Sequence, residues 1–141
     1  MADIGKYNTL TVIKEAFQGV YLDGGQHGEI LVPRRYVPQG AMPGSQMKVF
    51  VYRDSEDRVV ATTETALATV GEFACLEAVG VHPNAGVFLN WGLSKDLLLP
   101  FHEQVQNVHP QDRVVVYVML DERTDRVIAT ARFNRFLNKT E

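Results

Sequence analysis

Short runs of alternating apolar and polar residues recur along the whole chain. Thr11-Val12-Ile13 and the run from Val114 to Val118 are rich in β-branched and aromatic residues, which favour strands. Polar turns such as Asp23-Gly24-Gly25 separate these runs. The pattern predicts ten short strands, at Tyr7–Lys14, Gly19–Asp23, Gly28–Val32, Gln46–Arg53, Arg58–Thr63, Glu72–Val79, Val87–Trp91, Asp96–Leu99, Arg113–Asp121 and Arg126–Arg132.

The ten predicted strands belong to two copies of one unit. At an offset of 67 residues, segment 19–33 falls on segment 86–100, and six of the fifteen positions are identical. At an offset of 68 residues, Asp57–Thr62 falls on Asp125–Thr130. This period is too long for a solenoid repeat, so the sequence predicts a duplicated domain. We expect domains at residues 1–66 and 67–141, the second with a basic C-terminal tail.

A longer segment connects the third and fourth strands of each copy. Pro33–Gly44 and Pro100–Asp112 carry most of the prolines, and each is predicted to hold one short helical turn. Five strands in about 65 residues, with a crossover after the third, are typical of the OB-fold barrel. The sequence therefore predicts an all-β protein built from two tandem five-stranded OB-fold barrels.

The charge balance and the absence of targeting signals narrow the range of partners. The formal net charge is −3, whereas a dedicated duplex-DNA binder is usually basic because phosphate contacts supply most of its affinity. A local basic patch can still act on an acidic protein, because salt screens distant charges. No apolar stretch approaches membrane-spanning length, and no signal peptide is recognisable. We therefore expect a soluble cytoplasmic protein without a membrane partner.

Few residues suggest an enzyme. The chain has no glycine-rich phosphate loop and no nucleophile elbow. Cys75, the one cysteine, lies in a predicted strand and is expected to be buried. The histidines lack the spacing that places two metal ligands on one helical face. All four are expected in loops or turns: His27, His82, His102 and His109. We expect no catalysis, no cofactor and no metal site.

The second strand of the second copy carries the leading candidates for a binding site. OB-fold barrels bind oligomers across their second and third strands. Phe88 and Asn90 are two residues apart and share one face of this strand. We predict a base-stacking ring beside a hydrogen-bonding amide. The alternative is that Phe88 only covers the barrel, but Val87 and Leu89 already supply the inward face.

Further candidates have two interpretations each. Tyr21 occupies the equivalent position in the first copy, where stacking and packing are equally supported. Trp91 is expected to pack or to form an interface. The basic run from Arg126 to Lys139, with Phe133 and Phe136 inside it, is either a phosphate-binding edge or a packing surface for a further module. The basic candidates for RNA contact are Arg113, Arg126, Arg132 and Lys95. A smaller basic cluster at Arg34, Arg35 and Tyr36 is predicted to be a surface loop.

The second copy resembles the S1-type RNA-binding domain. The resemblance rests on the glycine and aromatic residue of Gly86–Leu89, the apolar strand Asp96–Leu99, and a last hairpin with Asp121 before its tip and Arg126 after it. It implies RNA binding on the second and third strands. An aromatic residue typically precedes the glycine of the second strand, where this chain has Ala85, so we expect weak binding.

The whole chain is similar to the first two domains of the conserved virulence factor B family of bacteria. The similar segments include Tyr7–Val12, Leu22–Gly25, Glu29–Pro33, Val70–Phe73 and Asn90–Leu93. The family's members are RNA-binding regulators with further S1-type and winged-helix modules. The resemblance therefore implies a module of a bacterial post-transcriptional regulator, which binds single-stranded RNA through its second barrel. The alternative is a protein-interaction or scaffold module that positions other nucleic-acid-binding domains of a longer chain.

Overall fold

Strands with one apolar face close into two separate barrels. The computed structural model of the protein describes residues 2–137, and the chain divides between Thr65 and Ala66 into two units. Each unit holds one closed five-stranded barrel. The predicted all-β class with two tandem OB-fold barrels is confirmed, and the division lies one residue before the predicted boundary.

Five strands and two short 3-10 turns make up the first barrel. The strands are β1 (Tyr7–Ala16), β2 (Gly19–Asp23), β3 (Glu29–Pro33), β4 (Gln46–Arg53) and β5 (Val59–Thr62). Their order around the barrel is β1-β2-β3-β5-β4, with β3 and β5 parallel and the other neighbours antiparallel. The 3-10 turns cover Gly25–His27 and Arg34–Tyr36. The second of them is the helical turn predicted between the third and fourth strands.

The second barrel repeats this arrangement. Its strands are β6 (Phe73–His82), β7 (Gly86–Asn90), β8 (Leu97–Pro100), β9 (Arg113–Leu120) and β10 (Val127–Thr130). Their order is β10-β8-β7-β6-β9. A 3-10 turn at Phe101–Glu103 again follows the third strand, and a short helix α1 (Asn134–Leu137) follows the last. The ends of all ten strands lie within three residues of the predicted ends.

Inward-facing side chains of the second and third strands form the centre of each core. In the first barrel four of them are fully buried, Val20, Leu22, Ile30 and Val32. Their equivalents in the second barrel are at most 1% exposed: Val87, Leu89, Leu97 and Leu99. Burying one such side chain contributes about 1.5–3 kcal/mol to folding. The alternation in the sequence therefore determines which side chains remain on the outer face.

The second strand of each copy begins with a glycine because the third strand lies too close to it for a side chain. A Cβ atom at Gly19 would overlap the carbonyl oxygen of Val32, and one at Gly86 would overlap that of Leu99. With any residue other than glycine at this position, the third strand could not approach the second so closely. This contact explains why the repeat has glycine at both positions.

An irregular register in the first strand of each barrel sets the neighbours of the second strand. The pairing shifts between Val12 and Lys14 in β1 and between Ala78 and Gly80 in β6. Such bulges bend a strand and increase its twist. The bent β1 pairs with β4 along its first half and with β2 along its second, and β6 pairs with β9 and β7 in the same way. Beyond the bulge, Lys14 pairs with Tyr21, and Gly80 pairs with Phe88.

The turn of the last hairpin in each barrel contains an aspartate with a positive φ. Asp57 and Asp125 have φ values of 68° and 58°, in the left-handed region that aspartate tolerates better than most residues. Each is followed by an arginine, Arg58 or Arg126, that leads into the last strand. The Asp-Arg pair found in both copies therefore marks the same turn twice.

Two predictions about single residues were wrong. Cys75 is exposed rather than buried, because it lies on the outer face of β6 opposite Val115, while Leu76 points into the core. His82 lies at the end of β6 rather than in a loop, because the strand continues past the bulge.

Among residues 2–137, no cluster of metal-binding side chains occurs, and no helix is long and apolar enough to cross a membrane.

Candidate nucleic-acid interface

Phe88 lies on the outer face of β7. Its ring is half-buried, whereas Val87 and Leu89 on either side are buried in the core. Phe88 is opposite Gly80 of β6 and Leu98 of β8. The ring therefore occupies the middle of the surface formed by β6, β7 and β8, and the β7–β8 part of it is the region where OB-fold barrels bind oligomers.

Asn90 lies on the same face, in a row with two charged residues. Glu77 of β6 is opposite Asn90, and Arg113 of β9 is opposite Glu77. Opposite residues on one face have Cβ atoms about 4.5–5.5 Å apart, so a carboxylate separates these two predicted contacts. Asn90 Oδ1 accepts a hydrogen bond from the Gly92 N–H at 3.0 Å. This oxygen therefore stabilises the turn after β7.

Arg126 shares the outer face with Phe88. Leu98, which is opposite Phe88, pairs in parallel with Ile128 of β10. Arg126 precedes Ile128 by two residues and therefore points to the same side of the sheet. Since β7 runs antiparallel to β8, Arg126 lies towards the Asn90 end of this surface.

Arg132 lies beyond the opposite end of β10. Its Nε donates a hydrogen bond to the carbonyl oxygen of His102 at 2.9 Å, which ties the end of the strand to the 3-10 turn Phe101–Glu103. A guanidinium has five N–H donors, and the residue is exposed. Arg132 can therefore contact a phosphate while it keeps this structural bond. The face around Phe88 thus has an arginine towards each end.

The turn between β7 and β8 holds Lys95 through its backbone. The indole Nε1 of Trp91 donates a hydrogen bond to the Lys95 carbonyl oxygen at 2.6 Å. Trp91 is only 2% exposed, which confirms its interpretation as a packing residue. Lys95 is half-buried in this turn, close to the Asn90 end of β7.

Asp96 adds a negative charge at the same end. It immediately precedes β8. Because Leu97 pairs with Leu89 in the antiparallel register, Asp96 lies opposite Asn90. Burial raises the pKa of the Asp96 carboxyl above its ordinary value. With Glu77, Asp96 makes this end of the surface less attractive to phosphate than its basic residues alone suggest.

The aromatic residues of the C-terminal basic run pack onto the barrel. Phe136 stacks on Tyr117, with ring centroids 4.3 Å apart. Phe133 meets Phe73 edge to face at 5.3 Å. Arg135 forms an ion pair with Glu103 at 3.3 Å and lies 4.8 Å from the Phe136 ring. These contacts use both rings for packing within the second barrel, an arrangement that neither prediction for this run included. The last basic residue of the run, Lys139, lies outside the described residues.

Tyr21 in the first barrel has a cation beside it. The ring is half-buried on the outer face of β2, and the Lys14 ammonium lies 5.1 Å from its centroid. Lys14 also forms an ion pair with Glu29 of β3 at 3.2 Å. The first barrel therefore presents a tyrosine covered by a lysine, where the sequence predicted a lone aromatic ring.

Acidic residues surround the arginine of the first barrel that is equivalent to Arg126. Arg58 Nε donates to Asp54 at 2.9 Å, and its Nη2 donates to Glu56 at 3.2 Å. Burial alone would raise the pKa of Asp54, but hydrogen bonds from the backbone and side chain of Arg58 and from the Glu56 N–H hold it below its ordinary value. Arg58 is therefore part of the hairpin tip. At an offset of 67 residues, the second barrel has Arg123 where the first has Glu56.

Arg34 has a structural role in the first barrel. Its guanidinium forms an ion pair with Glu15 at 2.8 Å and donates a hydrogen bond to the Ala16 carbonyl oxygen. Arg35 lies 4.8 Å from the ring of Tyr36. These contacts hold the 3-10 turn against β1, in agreement with the predicted surface loop.

His82 is a neighbour of Phe88 that the sequence did not predict. The two ring centroids are 6.4 Å apart, and the planes meet at 79°. Strand periodicity alone does not reveal this contact, because the bulge before Gly80 changes which residues of β6 meet β7. The signal that could have suggested this contact is that His82 and Phe88 lie on either side of the short connection between β6 and β7.

The first barrel matches the model of a known domain family. Residues 4–64, which make up the first barrel, match the family model described as an S1 domain. The match falls on the first copy, whereas the residues that resemble that domain in the sequence lie in the second.

One curated protein and one solved structure match most of the chain. It is 28% identical over 118 residues to the uncharacterized protein YitL of Bacillus subtilis (strain 168), which covers 82% of this chain and 39% of that protein. The fold also matches the crystal structure of a multidomain protein with nucleic acid binding domains from Streptococcus pneumoniae TIGR4, with a TM-score of 0.74 and 17% identity. That match covers 96% of this chain and 48% of the other. The chain therefore spans less than half the length of either protein.

Proposed function

We propose that this chain is a nucleic-acid-binding module whose ligand is single-stranded RNA. The observation that carries the proposal is the position of Phe88, an outward-facing ring at the centre of the β6–β7–β8 surface. The S1 domain match of the first barrel supports it. So does the fold shared with a protein that is described as having nucleic-acid-binding domains.

The surface suits an unpaired strand better than a duplex. A base can stack on Phe88 only when it is not already stacked and paired in a helix, and one such contact contributes about 1–3 kcal/mol. Arg126 and Arg132 towards the two ends of the surface supply phosphate contacts. Glu77 and Asp96 oppose them, so we expect weak binding that depends mainly on the second barrel.

The direct test is fluorescence anisotropy with a labelled oligo-U and a duplex of equal length. We expect saturable binding of the single strand, weaker binding of the duplex, and about tenfold weaker oligo-U binding for Phe88→Ala, since one stacking contact is worth about one to two decades. Phe73→Ala is the matched control. Phe73 is also a partly exposed phenylalanine of this barrel, but it packs on Tyr117 and Phe133 away from β7.

A second candidate function is a scaffold for protein interactions. It is favoured by the apolar outer face of β6 and β9, where Phe73 is 39% exposed and Val115 is 50% exposed. Under this alternative, oligo-U does not bind even at low salt. Absence of saturable binding by the folded chain would therefore reject RNA binding and leave the apolar face as the functional surface.

We further propose that the module belongs to a bacterial post-transcriptional regulator of the conserved virulence factor B type. Its similarity to YitL over 118 residues supports a place in a longer protein. In that setting the module acts in the cytoplasm by binding rather than by catalysis. Other modules of the longer chain would add to its affinity, since linked sites bind with an increased effective concentration.

A further inference from the structure

His82 and Phe88 form a corner on the outer face of the second barrel. His82, at the end of β6, pairs with Gly86 at the start of β7. The two rings are nearly perpendicular, with planes at 79° and centroids 6.4 Å apart. The imidazole therefore lies beside the position that a flat group stacked on the Phe88 ring would occupy.

The hydrogen bonding of His82 determines which of its ring nitrogens carries the proton. The Asn84 N–H donates a hydrogen bond to His82 Nδ1 at 3.2 Å. Because Nδ1 acts as an acceptor, the proton of the neutral ring is on Nε2. His82 is exposed, so its Nε2–H is a donor at the surface beside Phe88.

Gly80 leaves the space over Phe88 open. A Cβ atom at Gly80 would lie 4.0 Å from Phe88 Cδ2, so a longer side chain there can reach the phenyl ring. The first barrel shows this arrangement, because Lys14 occupies the equivalent position and its ammonium lies 5.1 Å from the Tyr21 ring. The strand neighbour therefore covers the ring in the first barrel and leaves it accessible in the second.

We propose that Gly80, His82 and Phe88 form a site for one unpaired base of RNA. The base stacks on Phe88 in the space that Gly80 leaves open, and an acceptor atom on its edge receives a hydrogen bond from His82 Nε2. This inference rests on the proposed RNA-binding function and assigns to His82 a contact with the base rather than with phosphate. It also makes the equivalent positions of the two barrels different, since Lys14 covers the Tyr21 ring in the first and Gly80 leaves the Phe88 ring uncovered in the second.

Three variants of the 141-residue chain test the site. His82→Ala removes the donor, and we expect about fivefold weaker oligo-U binding, the value of one net hydrogen bond. Gly80→Leu fills the space over Phe88 and should weaken binding by about tenfold, like loss of the stacking contact. His109→Ala is the matched control, because its imidazole is 74% exposed in a loop of the same barrel. It should bind as the wild type does.

An abasic oligonucleotide of the same length separates base contact from phosphate contact. The wild type and His82→Ala should bind it equally, because it has no base to occupy the corner. Fluorescence of Trp91, buried in the second barrel, verifies that each variant is folded. NMR signals of the His82 ring should shift with oligo-U and not with the abasic strand.

The outcomes distinguish this inference from the proposed function. If the wild type binds neither oligo-U nor any other single strand at low salt, both are rejected. If Phe88→Ala weakens binding while His82→Ala and Gly80→Leu do not, RNA binding stands and the corner site is rejected. A His82→Ala effect that persists on the abasic strand also rejects the site, because it would assign His82 to phosphate.

Discussion

At the scale of single residues, the outer face around Phe88 combines attraction and repulsion. Arg126 and Arg132 lie towards its two ends, while Glu77 and Asp96 place carboxylates near Asn90. The sequence could predict Phe88 and Asn90, because alternation alone decides which side chains point outward. It could not predict that carboxylates share their surface, because that depends on the cross-strand register.

Asp96 offers a test of this balance through its pKa. Burial raises the pKa of its carboxyl, so the folded state holds the proton more tightly than the unfolded chain does. The ionised carboxylate therefore destabilises the fold at neutral pH, and this penalty disappears as the pH falls through the raised pKa towards the ordinary value of about 3.9. We expect Asp96→Asn to raise the denaturation midpoint at pH 7 and to have little effect near pH 3.

The same substitution removes a negative charge near the proposed RNA path. Asp96→Asn should therefore also strengthen oligo-U binding, and Glu122→Gln at the exposed hairpin tip is the control for the loss of one charge. A lower denaturation midpoint for Asp96→Asn at pH 7 would contradict this account. It would show that the carboxylate makes a stabilising contact that outweighs the cost of its burial.

At the scale of strands, the repeat in the sequence predicted the element order well because each element depends on local alternation and turn residues. The burial of Cys75 was predicted wrongly, because its place in a strand does not say which face it is on. Each strand of a closed barrel has one outer face, and Cys75 lies on it opposite Val115. His82 and Lys14 were missed for a different reason. The bulges in β6 and β1 shift the register, so alternation alone does not give the residues that lie opposite β7 and β2.

Gly86 offers a test at this scale, because the close approach of β7 and β8 depends on it. A Cβ at this position would overlap the Leu99 carbonyl oxygen, so Gly86→Ala must push the strands apart. We expect a loss of about 2 kcal/mol or more. For a barrel of this size that lowers the melting temperature by roughly 8 °C or more. The measurement is thermal unfolding followed by Trp91 fluorescence.

Gly80→Ala is the control for this prediction, since a Cβ there makes only an ordinary contact with Phe88. It should leave the melting temperature nearly unchanged. If Gly86→Ala were equally harmless, β7 and β8 could separate without cost, and the repeated glycine would need another explanation.

At the scale of the whole molecule, the two barrels share a scaffold and differ in surface chemistry. The first has Tyr21 covered by Lys14, and its Arg58 is held by Asp54 and Glu56. The second has an open ring at Phe88. The family match falls on the first barrel, whereas the ring that no lysine covers lies on the second. The likeness to a known domain and the proposed binding surface are therefore on different copies.

The salt dependence of binding tests this division of roles. Three arginines surround the proposed surface: Arg113, Arg126 and Arg132. Each phosphate neutralised on a single strand contributes a slope of about −0.7 to log K against log salt, so we expect about −2 in total. Arg126→Ala should reduce the slope by about 0.7, whereas Arg58→Ala in the first barrel should leave it unchanged, because Arg58 is committed to Asp54 and Glu56. A slope steeper than about −3, or one that Arg58→Ala reduces, would show that the first barrel also contacts the phosphates.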